Sequence, residues 1–220
     1  AISSSVATGN KNASKKMTES VLRLTMLFAI PCAVGMSLLS KEILGLLYSD
    51  SDASALLAKL SVAVIFVSVV SVTNSILQAY GKVYYPVLNM IIGGVVKIFM
   101  NYTFIPVWGI DGAPIATNVC YGIIAVLNII CIIKFVKINF SILDFFLRPL
   151  AAAVVMGAAA VLCVNILNPS RLSTLVAIAA AGIVYIVMIL LLGAVKRDDI
   201  RNMPMGNRLE AFLDKAGFLR

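Results

Sequence analysis

The run VYYPVLNMIIGGVVKIFMNYTFIPVWGI, residues 83–110, is 28 residues long and carries one charge, Lys97. A helix needs about 20 predominantly apolar residues to cross the hydrocarbon core of a bilayer, so this run is long enough. Working outward from it, five more stretches between successive charged residues contain no charge at all. They are Leu24–Ser40, Leu60–Gly81, Gly112–Ile133, Pro149–Ser170 and Leu172–Val195, of 17, 22, 22, 22 and 24 residues. The six together cover 135 of the 220 residues, and the other 85 hold 27 of the 28 charges. A soluble domain is about a quarter charged. This chain is 13% charged and 61% hydrophobic, with a mean hydropathy of +1.01. It is expected to be an all-α polytopic membrane protein with six transmembrane helices.

Six spans place the connectors on alternate sides. One side collects Lys11, Lys15, Lys16, Arg23, Lys82, Lys134, Lys137, Arg148, Lys196, Arg197, Arg201, Arg208, Lys215 and Arg220, fourteen basic residues. The other has three: Lys41, Lys59 and Arg171. In short connectors such an excess marks the cytoplasmic side, so both termini are expected there, in a multi-pass protein of the cell membrane. The net charge of +8 flanks the spans and forms no single basic stripe with interleaved aromatics. No nucleic-acid partner is expected. The expected organisation is a cytoplasmic arm (1–20), a four-helix unit (21–135), an interfacial connector (136–148), a two-helix hairpin (149–195) and an amphipathic cytoplasmic tail (196–220). The chain starts at Ala1 rather than Met, which suggests a fragment or a processed product.

Smaller signals refine this outline. Pro86, Pro106, Pro114, Pro149 and Pro169 fall at or near span ends, where a missing N–H costs least. Pro31 lies inside the first span, four residues before Gly35, and the two are read as a hinge. The carbonyl that Pro31 frees must find a partner on a neighbouring helix or a water. Three connectors too short to span carry apolar residues at helical spacing: Glu42–Tyr48, Ile138–Leu147, and a tail segment with Leu209, Phe212, Leu213 and Ala216. These read as interfacial helices. The four cysteines, Cys32, Cys120, Cys131 and Cys163, lie in charge-free stretches at no metal-ligand spacing and read as buried thiols.

Lys97 is the one ion inside a span. Asn89, Gly93, Lys97 and Asn101 recur every four residues and form one polar, small-residue strip along a helix. A lysine at mid-membrane costs about 2.5–3.5 kcal/mol on insertion scales, so the strip is expected to face a cavity or a partner rather than lipid. The alternative is that Lys97 snorkels to an interface. Ser71, Asn74, Ser75 and Gln78 cluster in the second span, and Thr117, Asn118, Tyr121 and Asn128 in the fourth. From these, Lys97, Asn101, Asn89, Asn74, Gln78 and Asn118 are taken as cavity-facing, substrate-binding residues, though interhelical bonding is the plainer use of each uncharged one. Ala151–Ala160 and Ala177–Gly182 are built from small residues, which allow close packing and leave room for an apolar ligand. The chain contains no histidine, and its spans hold no paired carboxylates, phosphate loop or activated nucleophile. It is therefore expected to be no enzyme and to hold neither metal nor cofactor.

Several motifs resemble a known family. Arg23-Leu24-Thr25, Ile30-Pro31, Gly35 and Glu42–Tyr48 resemble the ninth helix of the multidrug, oligosaccharidyl-lipid and polysaccharide exporter superfamily. Gln78–Lys82, Pro86, Asn89, Lys97, Asn101-Tyr102, Ile105-Pro106 and Gly109–Thr117 are similar to its polysaccharide branch, that of stage V sporulation protein B and the MurJ-type lipid II flippases. Lys196–Asp199, Met203-Pro204 and Leu209 resemble that branch's ending. The resemblance implies a fourteen-helix bacterial carrier that alternates between inward- and outward-open states. This chain would supply helices nine to fourteen, and its partners would be a polyprenyl-pyrophosphate-linked sugar, membrane lipids and an N-terminal lobe absent from this sequence. It further implies a lipid-tail groove in the last two helices and no cofactor. The alternatives are a cation-coupled drug exporter of the same superfamily, a membrane enzyme acting on an isoprenoid lipid, and a non-transporting envelope scaffold.

Overall fold

A computed structural model of the chain describes residues 11–48, 53–138, 143–166 and 171–193. Every regular element among them is helical. In chain order they are α1 (Lys11–Leu38), α2 (Ser40–Tyr48), α3 (Ser54–Ala79), α4 (Tyr84–Trp108), a 3-10 turn (Gly109–Asp111), α5 (Gly112–Val136), a π turn (Leu143–Leu147), α6 (Arg148–Ile166) and α7 (Arg171–Leu191). The protein is all-α, and α1 and α3 to α7 supply the segments long and apolar enough to cross a membrane. Tyr84–Val136 is one unbroken apolar stretch of 53 residues, but the chain reverses inside it. Asn89 meets Asn128, Gly93 meets Ile124 and Phe104 meets Gly112, so α4 and α5 form an antiparallel hairpin. Gly109 turns the corner at φ +59°, where a side chain is strained, and a Cβ on Gly112 would stand 2.8 Å from the Phe104 carbonyl carbon.

The spans pack side by side in the order α4, α5, α3, α1, α6, α7. Three apolar clusters hold them. Leu27, Ile30, Ala152, Met156, Ala181 and Tyr185 join α1 to α6 and α7. Val69, Val70, Cys120, Ile124 and Ala125 join α3 to α5. Leu22, Ile76, Leu77, Ile132 and Phe145 close the end where the π turn lies. There Arg23 is buried, with its guanidinium carbon 5.6 Å from the centre of the Phe145 ring. That end carries Lys82, Lys134 and Arg148 and is called the basic face below; the opposite face bears α2 and the 3-10 turn.

Close approach depends on small residues. A Cβ on Gly157 of α6 would stand 2.5 Å from Leu38 Cδ1, and Ala152, Ala153 and Ala160 are buried on that helix. Its outward positions carry larger residues, Val154, Val155 and Leu162, all exposed. The alanine-rich stretches of α6 and α7 thus serve helix contact on their inner faces. Around Gly93 of α4 the fit is tighter still: a Cβ would stand 2.4 Å from Ile124 Cγ1 and 3.3 Å from the Cys120 carbonyl oxygen.

Some local features differ from the sequence reading. Residues 11–20, placed in the expected cytoplasmic arm, lie on α1, where Ser14, Thr18 and Ser20 are buried. Burial of Thr18 is tolerable because its hydroxyl donates to the Ser14 carbonyl at 2.8 Å. Cys32 is exposed on α1, not buried, whereas Cys120 is buried and Cys131 and Cys163 are half-buried. The expected short helix at 42–48 is present as α2, with Leu47 and Tyr48 exposed. Of the expected 138–147 segment the structure describes a π turn over 143–147; residues 139–142 and the tail from 194 onward lie outside the described residues. Because Gly93 lets α4 seat on α5, Gly93→Val is expected to lower stability by about 1–3 kcal/mol. Thermal unfolding of the detergent-solubilised protein, against a Gly94→Val control whose Cβ position is open, checks it.

Candidate functional site

The polar residues of the spans divide into three groups. The first is a buried network across α3, α4 and α5, toward the basic face: Asn89 lies in the second turn of α4, and Thr73 and Asn74 lie near the end of α3. Asn128 on α5 is fully buried; it accepts from Asn89 Nδ2 at 2.8 Å and donates to Thr73 Oγ1 at 2.9 Å and Asn74 Oδ1 at 2.7 Å. Thr73 passes its own proton to the Val69 carbonyl at 2.7 Å. Asn74 Nδ2 reaches Met90 Sδ at 3.8 Å, and Asn89 Nδ2 reaches Cys131 Sγ at 3.9 Å. Two of the six residues read as cavity-facing, Asn89 and Asn74, are therefore drawn together through Asn128, and Asn89 is buried. The geometry makes this a clasp: α4 has few direct contacts with α3, and the network links them through α5.

The second group lies nearer the opposite face. Asn118 Nδ2 donates to the Lys59 carbonyl at 2.9 Å, and Lys59 Nζ pairs with Asp111 Oδ1 at 2.9 Å, half-exposed on both sides. Asn118 also lines an open groove of about 430 Å³ between α3 and α5 with Phe66, Gly122, Ile123, Val126 and Leu127. Lys97 and Asn101 do not line it. They lie on α4, and the antiparallel register sets Lys97 across from Cys120 of α5. Lys97 is half-buried and forms no ion pair among the described residues. Asn101 Oδ1 is buried with no hydrogen-bond partner, as is Asn118 Oδ1. A cation and an unfilled acceptor thus occur one turn apart on the strip, toward the opposite face from the clasp. Gln78 stands apart from all of these, exposed near the end of α3.

The third group surrounds Pro31 and Gly35, the pair expected to form a hinge. Helix α1 runs through Pro31, and the carbonyl four residues earlier, that of Leu27, has no N–H to receive. Tyr185 of α7 fills the vacancy: its hydroxyl donates to the Leu27 carbonyl at 2.6 Å, and the side chain is buried. The requirement for a partner was legible in the sequence; its identity was not. Gly35 meets only Met156 Cε, and a Cβ there would be in ordinary contact at 3.9 Å, so close packing does not demand a glycine at that position. Asn128, Thr73 and Tyr185 are residues the sequence reading left off its list. For Asn128 a signal existed: Asn89 lies 20 residues before Gly109 and Asn128 19 after it, so a reversal at Gly109 puts them opposite each other.

Comparison with known proteins agrees with this architecture. The family model described as Lipid II flippase MurJ matches residues 1–191. An uncharacterized membrane protein of Bacillus subtilis, YabM, is 23% identical over 209 residues, covering 90% of this chain and 39% of that protein. The lipid II flippase MurJ of the same organism is 30% identical over 126 residues, covering 54% of this chain and 23% of the flippase. The chain therefore spans less than two fifths of the length of these relatives in either alignment. It belongs to the MurJ lipid II flippase family.

Two substitutions test the polar contacts. Asn128→Ala removes three interhelical bonds at once, each worth around 0.6 kcal/mol in lipid with a ceiling near 1.7. It is expected to cost more than 1 kcal/mol in an unfolding titration, and clearly more than Gln78→Ala. Tyr185→Phe keeps the ring and strands the Leu27 carbonyl. Its expected cost is about 0.6–1.7 kcal/mol, and it should largely vanish in a Pro31→Ala background, where residue 31 regains its own N–H.

Proposed function

We propose that this chain forms the C-terminal half, helices nine to fourteen, of a flippase that moves a lipid-linked cell-wall or polysaccharide precursor across the cytoplasmic membrane. Membership of the MurJ family supports the transport class, and the fourteen-to-three asymmetry of basic residues supports a cytoplasmic basic face. Lys97 is the observation that carries the site. An ammonium group held half-buried at mid-membrane without an ion pair needs a counter-charge, and a pyrophosphate-linked sugar supplies one. Asn101, one turn along, adds an unfilled acceptor for a sugar hydroxyl. Asn89 and Asn74 hold the helices that present this strip, and Asn118 braces α5 against α3. The α6–α7 hairpin carries the lipid-tail groove on its outward Val154, Val155 and Leu162 side, and the Pro31 hinge lets α1 flex as the lobes alternate.

The test is transport by the protein expressed from its complete gene and reconstituted in vesicles. Lys97→Gln is expected to slow flipping of a polyprenyl-pyrophosphate sugar at least about tenfold, equivalent to about 1.4 kcal/mol of lost charge interaction, with Lys97→Arg retaining most of it. Unchanged flipping by Lys97→Gln removes the residue from the mechanism. Export of cationic drugs with no movement of the lipid-linked sugar would instead establish the drug-exporter reading.

A further inference from the structure

One corner of the basic face gathers positive charge in a way that the transport mechanism does not use. Lys82, in the turn between α3 and α4, holds Nζ 5.0 Å from the centre of the Phe135 ring. Lys134, in the last turn of α5, holds Nζ 6.0 Å from the same ring. The two ammonium groups are therefore no more than about 11 Å apart, a separation comparable to the Debye length of about 8 Å at physiological salt, and they repel weakly. Tyr85 packs on Phe135 with ring centres 4.8 Å apart, which buttresses the ring that both cations approach. Neither lysine forms an ion pair among the described residues. One aromatic face attracts a cation by about 0.5–1 kcal/mol at an exposed site and does not neutralise two. The corner is a pair of donors on an aromatic platform, with no anion paired to either lysine among the described residues.

The surroundings say which anion fits. Beside Lys82, Val83 is 53% and Tyr84 68% exposed; beside Lys134, Ile133 is 42% exposed. Free phosphate gains nothing from such a skirt, whereas a lipid lays its acyl chains on it while its headgroup meets the lysines. Tyrosine and lysine at this level are also the residues that anchor a helix at the water–lipid boundary. We infer that Lys82, Lys134 and the Tyr85–Phe135 ring pair form a binding site for one anionic phospholipid headgroup of the inner leaflet. The assignment to the inner leaflet rests on the cytoplasmic placement of the basic face proposed above. A lipid bound there bridges the α3–α4 turn to the end of α5 and steadies the hairpin that carries Lys97.

Native mass spectrometry of the protein expressed from its complete gene tests this, with phosphatidylglycerol, phosphatidylcholine and inorganic phosphate as probes. Wild type is expected to hold phosphatidylglycerol in preference to phosphatidylcholine. The preference should fall about fivefold on replacing either lysine with glutamine, and about thirtyfold for Lys82→Gln with Lys134→Gln. The double arginine variant keeps both charges and should retain the lipid, and Lys41→Gln on the opposite face should change nothing. Equal retention by the double glutamine variant overturns the site, and displacement of the lipid by millimolar inorganic phosphate shows a free-ion site instead. Labelling that puts Lys82 outside the cell would reverse the leaflet while leaving the lipid count intact, and a loss of flipping with normal lipid retention would fault the transport reading alone.

Discussion

Hydrocarbon offers no hydrogen bonds, and most of what is distinctive in this structure answers that one constraint. Backbone groups in lipid are satisfied within helices, so the chain crosses as helices. Proline interrupts the arrangement inside α1 at Pro31 and near the end of α4 at Pro106, and the carbonyl that Pro31 frees on Leu27 is met by Tyr185, 158 residues away. Polar side chains follow the same rule. Thr18, Thr25 and Thr73 return their protons to carbonyls on their own helix, and the asparagines bond across helices. The few groups left unanswered, Lys97 and Asn101 among them, are where an interaction with something outside these helices is worth most.

The packing order gives those groups their setting. Helix α4 is an edge helix, seated on α5 through Gly93 and clasped at Asn89, with large apolar residues such as Ile98 and Phe99 turned outward. Clamped at one level, this edge helix carries Lys97 and Asn101 at the other, without partners among the described residues. The opposite edge is made by the α6–α7 hairpin, whose inner faces are consumed by contact with α1 and with each other. The Tyr185 bond therefore ties that edge to α1 at the carbonyl that Pro31 leaves without an N–H.

The residues of the candidate site stood out in the sequence for reasons that differ by residue. Lys97 stood out because a charge inside 28 otherwise uncharged residues has a cost that composition alone reveals. Asn89 and Asn74 stood out as polar, but a four-residue period marks one face of a helix without saying what that face meets. Here the face changes role along its length: Asn89 is locked into the clasp, whereas Lys97 and Asn101 remain without partners among the described residues. Cys32 was misread for the same reason, since a charge-free stretch says that a helix is in lipid and not which side of it is inside.

Length, charge spacing and the proline positions determined by themselves that this protein threads a membrane as helices and where each helix turns back. They could do so because the cost of a charge or an open backbone group in hydrocarbon is local, and is paid wherever the residue sits. Which helices lie side by side, which asparagine is the hub, and which hydroxyl answers Pro31 were decided only by tertiary structure. Those outcomes depend on a Cβ at Gly93 or Gly157 colliding with a neighbour, and on donors and acceptors meeting across separations of up to 158 residues. Pairings of that kind are set by shape in three dimensions.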